Sequence, residues 1–155
     1  MGFFDFFRKN NSSTTTPETN HDFDEAAEKA AQESFERATK LLDIDVAIMA
    51  HENWKLRLQS YLQGNSTEDL KPEVVCCDDR CDLGKWIYGD GGNLLGKYGT
   101  FADLKATHKM FHYTASNIVS LHQTGNREEA ERVLNDNFVK LSNKIKSRLS
   151  DLKAL

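Results

Sequence analysis

Thr100-Phe-Ala-Asp-Leu-Lys-Ala-Thr-His-Lys-Met-Phe-His-Tyr-Thr-Ala-Ser-Asn-Ile-Val119 is the stretch from which the fold can be read. Phe101, Leu104, His108, Phe111, His112, Ala115, Ile118 and Val119 recur at the three-and-four spacing of one α-helical face. Thr100 with Asp103 three residues on reads as a capping-box-like start, and Gly125 as the stop. Two histidines interrupt this apolar face. His108 and His112 stand four residues apart, so their imidazoles project from one side about a turn from each other. A core-facing imidazole needs partners for its ring nitrogens or costs a few kcal/mol. One metal ion held by both rings meets that need.

Downstream, Asn126 and Glu129 open another helix, with a buried seam of Ala130, Val133, Leu134, Phe138, Leu141, Ile145, Leu149 and Leu152. Upstream, helical spacing runs from Phe23 to Gln63. One face there carries Ile44, Ala47, Ile48, His51, Trp54, Leu58, Tyr61 and Leu62, and Gly64 supplies the stop. Between the long helices lies a turn-rich segment, Asn65 to Pro72, then Val74-Val-Cys-Cys-Asp-Asp-Arg-Cys-Asp-Leu-Gly-Lys-Trp-Ile-Tyr88. A short helix is expected from about Asp79 to Tyr88, broken by Gly89-Asp-Gly-Gly92, with a loop onward to Thr100. No segment alternates with period two. The expected fold is all-α: an antiparallel four-helix bundle of three long helices and one short, with an N-terminal helical extension. Whether residues 23 to 40 pack on that bundle or form a separate arm is left open.

Length and composition narrow the function. With 155 residues the chain suits one domain, expected as residues 23–155 behind a segment of residues 1–22. A net charge of -4 lacks the basic surplus of a nucleic-acid binder. The absence of a long apolar run and of a signal-peptide pattern leads to the expectation of a cytoplasmic protein. Three Cys are too few, and odd in number, for a disulfide framework, which points to ligand or redox thiols. The N-terminus, Met1-Gly-Phe-Phe-Asp-Phe-Phe-Arg-Lys9, packs four Phe into five positions ahead of a polar linker, Asn10 to Asn20. Such a cap calls for an apolar surface: its own domain, a partner or a membrane.

His51 interrupts an apolar stripe as His108 and His112 do. Cys81 falls at the start of the short helix, where backbone N–H groups and the helix dipole favour a thiolate. Three imidazoles and one thiolate suit tetrahedral Zn²⁺, although a satisfied core histidine explains each ring singly. Cys76 and Cys77 are close enough in sequence to resolve an oxidised Cys81, or are plain loop thiols. His21 and His122 are expected at the surface. Glu52, Asp78, Asp79 and Asp82 are expected chiefly to be solvated, with orientation of a ligand imidazole as the other role.

His51-Glu-Asn-Trp54, Cys81-Asp-Leu-Gly-Lys-Trp86 and His108 to His112, in that order and at intervals of 30, 27 and 4 residues from ligand to ligand, resemble the chemoreceptor zinc-binding (CZB) domain family of bacteria. The resemblance covers about residues 40–150. It implies a four-helix bundle holding one zinc through His51, Cys81, His108 and His112, with Trp54 and Trp86 packing around the site. It further implies a homodimer in bacterial signalling, working with a chemoreceptor or a diguanylate cyclase, and sensing of zinc level or of oxidants of the hypochlorous acid type. This chain shows no receptor hairpin or cyclase domain of its own, so its output stays open.

A closed four-ligand site has no place for a catalytic water, and the expectation is a protein that is not an enzyme. The alternative is a structural zinc that staples a dimeric helical interaction module. A di-iron enzyme is disfavoured because the face around His108 and His112 carries no Glu. An interaction protein without metal would use the seam from Ala130 to Leu152 as its partner face.

Overall fold

Asp43 starts the first long core helix by accepting the Val46 N–H at 3.1 Å, and Gly64 ends it at φ 73°, a left-handed conformation that glycine adopts without strain. In the computed structural model, which describes residues 21–154 with side chains from residue 25, that helix is Ile44–Leu62. Counting from the N-terminus, the elements are α1 His21–Thr39, α2 Ile44–Leu62, α3 Pro72–Val75, α4 Asp82–Tyr88, α5 Asp90–Leu95, α6 Gly99–Gln123, α7 Arg127–Val133 and α8 Val139–Lys153. A π-helical turn, Leu134–Phe138, joins α7 to α8 so that the two run on as one rod. Both Leu134 and Phe138 are buried, and Phe138 packs on Phe111 at 4.6 Å between ring centroids. No strand occurs among the described residues. The all-α bundle expected from the periodicities is the one observed.

Cross-helix contacts give the directions. His51 faces His108, and Tyr61 meets His122 edge to face, so α2 and α6 run the same way. Lys153 pairs with Asp45 and Lys146 with Glu52, while Lys144 and Arg148 share Asp103. The α7–α8 rod is therefore antiparallel to both. The turn before it is closed by Gly125 at φ 84°. The fourth position is filled by the short segment, which descends along α6. Leu70 O accepts from Gln123, Pro72 O from Ser116, Val75 O from His112, and Lys105 sits over the Tyr88 ring. The order is up, down, up, down, with the short arm as the second member.

The N-terminal extension is not a separate arm. Ala31, Phe35 and Ala38 are buried, Phe35 lies 5.1 Å from the Tyr98 ring, and Ala38 O accepts the indole N–H of Trp86 at 3.0 Å. Burying side chains of this size stabilises by roughly 1.5–3 kcal/mol each for the large ones. The aromatic cap of residues 1–9 and the linker to Asn20 lie outside the described residues, as does the side chain of His21.

Four local expectations are corrected. The short helix begins at Asp82, not Asp79, because Cys81 is its N-cap. Pro72–Val75 forms a helical turn with Pro at its first position, beyond the turn-rich stretch. The expected loop after Gly89 contains helix Asp90–Leu95. Its glycines answer to packing: a Cβ on Gly91 would stand 2.6 Å from the Trp86 indole. Finally, Thr100 does not cap α6, which begins at Gly99 after Tyr98, and the Thr100 hydroxyl is buried without a hydrogen-bond partner.

Candidate metal centre

The four predicted ligands reach one point from three elements. His51 comes from the middle of α2, His108 and His112 from consecutive turns of α6, and Cys81 from the N-cap of α4. Their ligand atoms all lie within 4.8 Å of one another. His51 Nε2 is 3.2 Å from His108 Nε2. Cys81 Sγ is 3.3 Å from His108 Nε2, 3.8 Å from His112 Nε2 and 4.0 Å from His51 Nε2. A tetrahedron with bonds of 2.0 to 2.3 Å has edges of about 3.3 to 3.8 Å. The separations of 3.3 and 3.8 Å fall inside that range, and 3.2 and 4.0 Å lie just outside it.

Backbone carbonyls aim two of the rings. His51 Nδ1 donates to Ala47 O at 2.7 Å, one turn back on its own helix, and His112 Nδ1 donates to Val75 O at 2.9 Å across the bundle. A ring that donates from Nδ1 while neutral keeps a lone pair on Nε2. Two lone pairs are thus pointed at the centre beside a third Nε2 and a sulfur, an arrangement suited to a cation. His108 differs: its Nδ1 is buried without a hydrogen bond, 3.9 Å from Asp78 Oδ2.

Burial sets the protonation. Loss of solvent lowers the His51 imidazole to about 4 and the His108 imidazole to about 2, each also held down by a neighbouring ring. His112 is lowered for the same first reason, partly offset by Val75 O and Asp78. The three rings are neutral near pH 7, the form that ligates. Cys81 differs from expectation. Its sulfur does accept the Gly84 N–H at 3.3 Å, yet burial outweighs the helix N–H groups and pushes the thiol up. The charge of a bound ion is what would make this sulfur a thiolate.

Of the remaining expected residues, Trp54 packs on the centre, its ring 6.2 Å from that of His112. Trp86 is buried against Phe101 and pins α1. Cys76 and Cys77 are free and half-buried, with both thiols donating to Glu73 O, and neither joins the ligand group. His122, expected at the surface, is half-buried against Tyr61 because α2 and α6 lie in register there. Asp78, expected chiefly to be solvated, is a mostly buried neighbour of a ligand, whereas Asp79 and Asp82 are exposed. The backbone partners Ala47 O and Val75 O carry no signal in the side-chain pattern.

Helical bundle and His₃Cys centre together define a metal-binding class of domain. Residues 51–119 match the family model of the chemoreceptor zinc-binding domain. That match holds all four ligands, and the centre is arranged to hold zinc. No curated protein and no solved structure matches the chain.

Proposed function

We propose that the chain is a regulatory protein of bacterial signalling, of the chemotaxis or cyclic-di-GMP type, and not an enzyme. Zinc held by His51, Cys81, His108 and His112 maintains one conformation, and loss of zinc or oxidation of Cys81 shifts it. The supporting observation is access. Cys81, His51 and His112 line an open groove of about 910 Å³ between α2 and the short arm. Cys81 is the one oxidisable member of the ligand set, so a reagent entering the groove meets it directly. A hypohalous acid would transfer its oxygen to the thiolate sulfur, giving a sulfenic acid and halide. Sulfur is oxidised, halogen is reduced, and the ligand weakens.

A second copy of the chain is the proposed partner surface for α2. Val46, Met49 and Leu56 form an outward stripe at helical spacing, each more than half exposed. Among the described residues no helix is long and apolar enough to cross a membrane. A protein cytoplasmic in a bacterium suits the proposal.

The test is zinc per chain and oligomeric state on native, Cys81→Ser and Cys76→Ser/Cys77→Ser protein, before and after hypochlorous acid. Native protein should bind one zinc and release it on oxidation with a change of oligomeric state. Cys81→Ser should hold zinc more weakly, and the double variant should behave as native. Equal zinc release from native and Cys81→Ser protein would refute the sensing role. Zinc that never leaves on oxidation would favour the structural alternative.

A further inference from the structure

Of the three ligand imidazoles, His51 and His112 have a carbonyl on the far nitrogen, and His108 alone has none. His108 is fully buried, so its Nδ1 cannot turn to water. The nearest charged group is Asp78, whose Oδ2 lies 3.9 Å away and whose side chain is 13% exposed. The same carboxylate oxygen accepts from Tyr88 Oη at 2.7 Å, which leaves it a second lone pair for the ring. Burial and the Asp78 charge push the Tyr88 phenol up to about 12, so it stays a donor. The loop itself is wedged. The Asp78 carbonyl packs on α4 so closely that a Cβ on Gly84 would stand 1.9 Å from it. With the backbone fixed, rotation of the side chain alone can close the remaining gap of about 1 Å to hydrogen-bond distance.

We propose that Asp78 is the positioning carboxylate of the zinc centre: it accepts the Nδ1–H of His108 and holds that ring with Nε2 on the metal, steadied by Tyr88. Charge favours the same assignment. Zn²⁺ with one thiolate and three neutral imidazoles carries one net positive charge in a largely buried site, and Asp78 neutralises it. A carboxylate behind a ligating imidazole raises its basicity and fixes its tautomer. The assignment also explains why the short arm approaches α6 so closely here. The short arm supplies a ligand, Cys81, and the outer partners of two others, Val75 O and Asp78.

This inference rests on the reading of the centre as a zinc site, and its test separates the two. Zinc affinity is measured by competition with a chromogenic chelator on native, Asp78→Asn and Tyr88→Phe protein, with melting of the metal-free proteins alongside. Cobalt(II) absorption and the ¹⁵N-resolved Nδ1–H signal of His108 in zinc-loaded protein report the geometry. Asp78→Asn should weaken zinc about 10- to 100-fold. Tyr88→Phe should have a smaller effect, and both should leave metal-free melting and the tetrahedral cobalt spectrum unchanged. The His108 Nδ1–H signal should move or exchange faster in Asp78→Asn. Native zinc binding with an Asp78→Asn variant that binds as tightly, or one whose metal-free melting falls enough to explain the loss, would overturn the role of Asp78. Native protein that takes up no zinc would overturn the reading of the centre itself.

Discussion

Cys81 Sγ lies 3.3 Å from His108 Nε2, although 27 residues separate them in the chain. A thiol S–H donating to this ring nitrogen makes only a weak hydrogen bond. A buried thiol and a buried ring nitrogen lose solvent, and the ring has no partner on its far side. The contact is maintained because the helices around it bury Leu104, Phe111, Ala115 and Leu83. Apolar packing thus holds four donors together at a cost that a cation offsets.

The centre should therefore destabilise the metal-free fold. Replacing His108 by Leu removes an unsatisfied buried nitrogen, a penalty of about 1–3 kcal/mol, and substitutes a side chain suited to the core. Thermal melts followed by circular dichroism in chelator should show His108→Leu as stable as native or more so. Without chelator the order should reverse, because native protein gains from zinc and the variant binds little or none. A variant that melts well below native protein in chelator would contradict this account.

Stability of the metal-free protein should depend on pH in one direction. His51 and His108 titrate near 6.5 when unfolded and at about 4 and about 2 when folded. Below 6.5 the unfolded chain therefore binds protons that the folded chain refuses. Their contribution is intact above about pH 7 and is lost as pH falls from 6.5 toward the folded values, by roughly 1.4 kcal/mol per unit for each ring. Urea midpoints in chelator from pH 8 to pH 4.5 measure it. A flat profile across that range would mean that the rings are solvated in the metal-free state.

Two glycines should separate fold from site. Gly84→Ala drives a Cβ into the Asp78 carbonyl, so it should cost about 1–3 kcal/mol and also weaken zinc binding by shifting the loop that carries Cys81. Gly125→Ala meets nothing within 4 Å and is strained only by φ 84°. It should lower stability by about 1 kcal/mol and leave zinc affinity as it is. Paired melting and chelator-competition curves on both variants decide the matter. Equal zinc loss in the two would show that the effect is global.

The helices, their seams and the three histidines on apolar faces were legible in the residues because helical periodicity is a local property, whereas the gathering of Cys81 with them followed from the resemblance in motif order and spacing. His108 and His112 are an example: spacing alone sets both on one side of α6. Tertiary structure decided what spacing does not encode. It turned Gly91 from a helix breaker into a packing position under Trp86, since only the folded chain brings that indole over it. It brought His122 against Tyr61 by setting α2 and α6 in register. It also selected Ala47 O, Val75 O and Asp78 as the groups behind the ligands, and burial raised the Cys81 thiol despite its place at a helix start. Backbone partners and desolvation depend on which elements meet, and that is settled only when the core has packed.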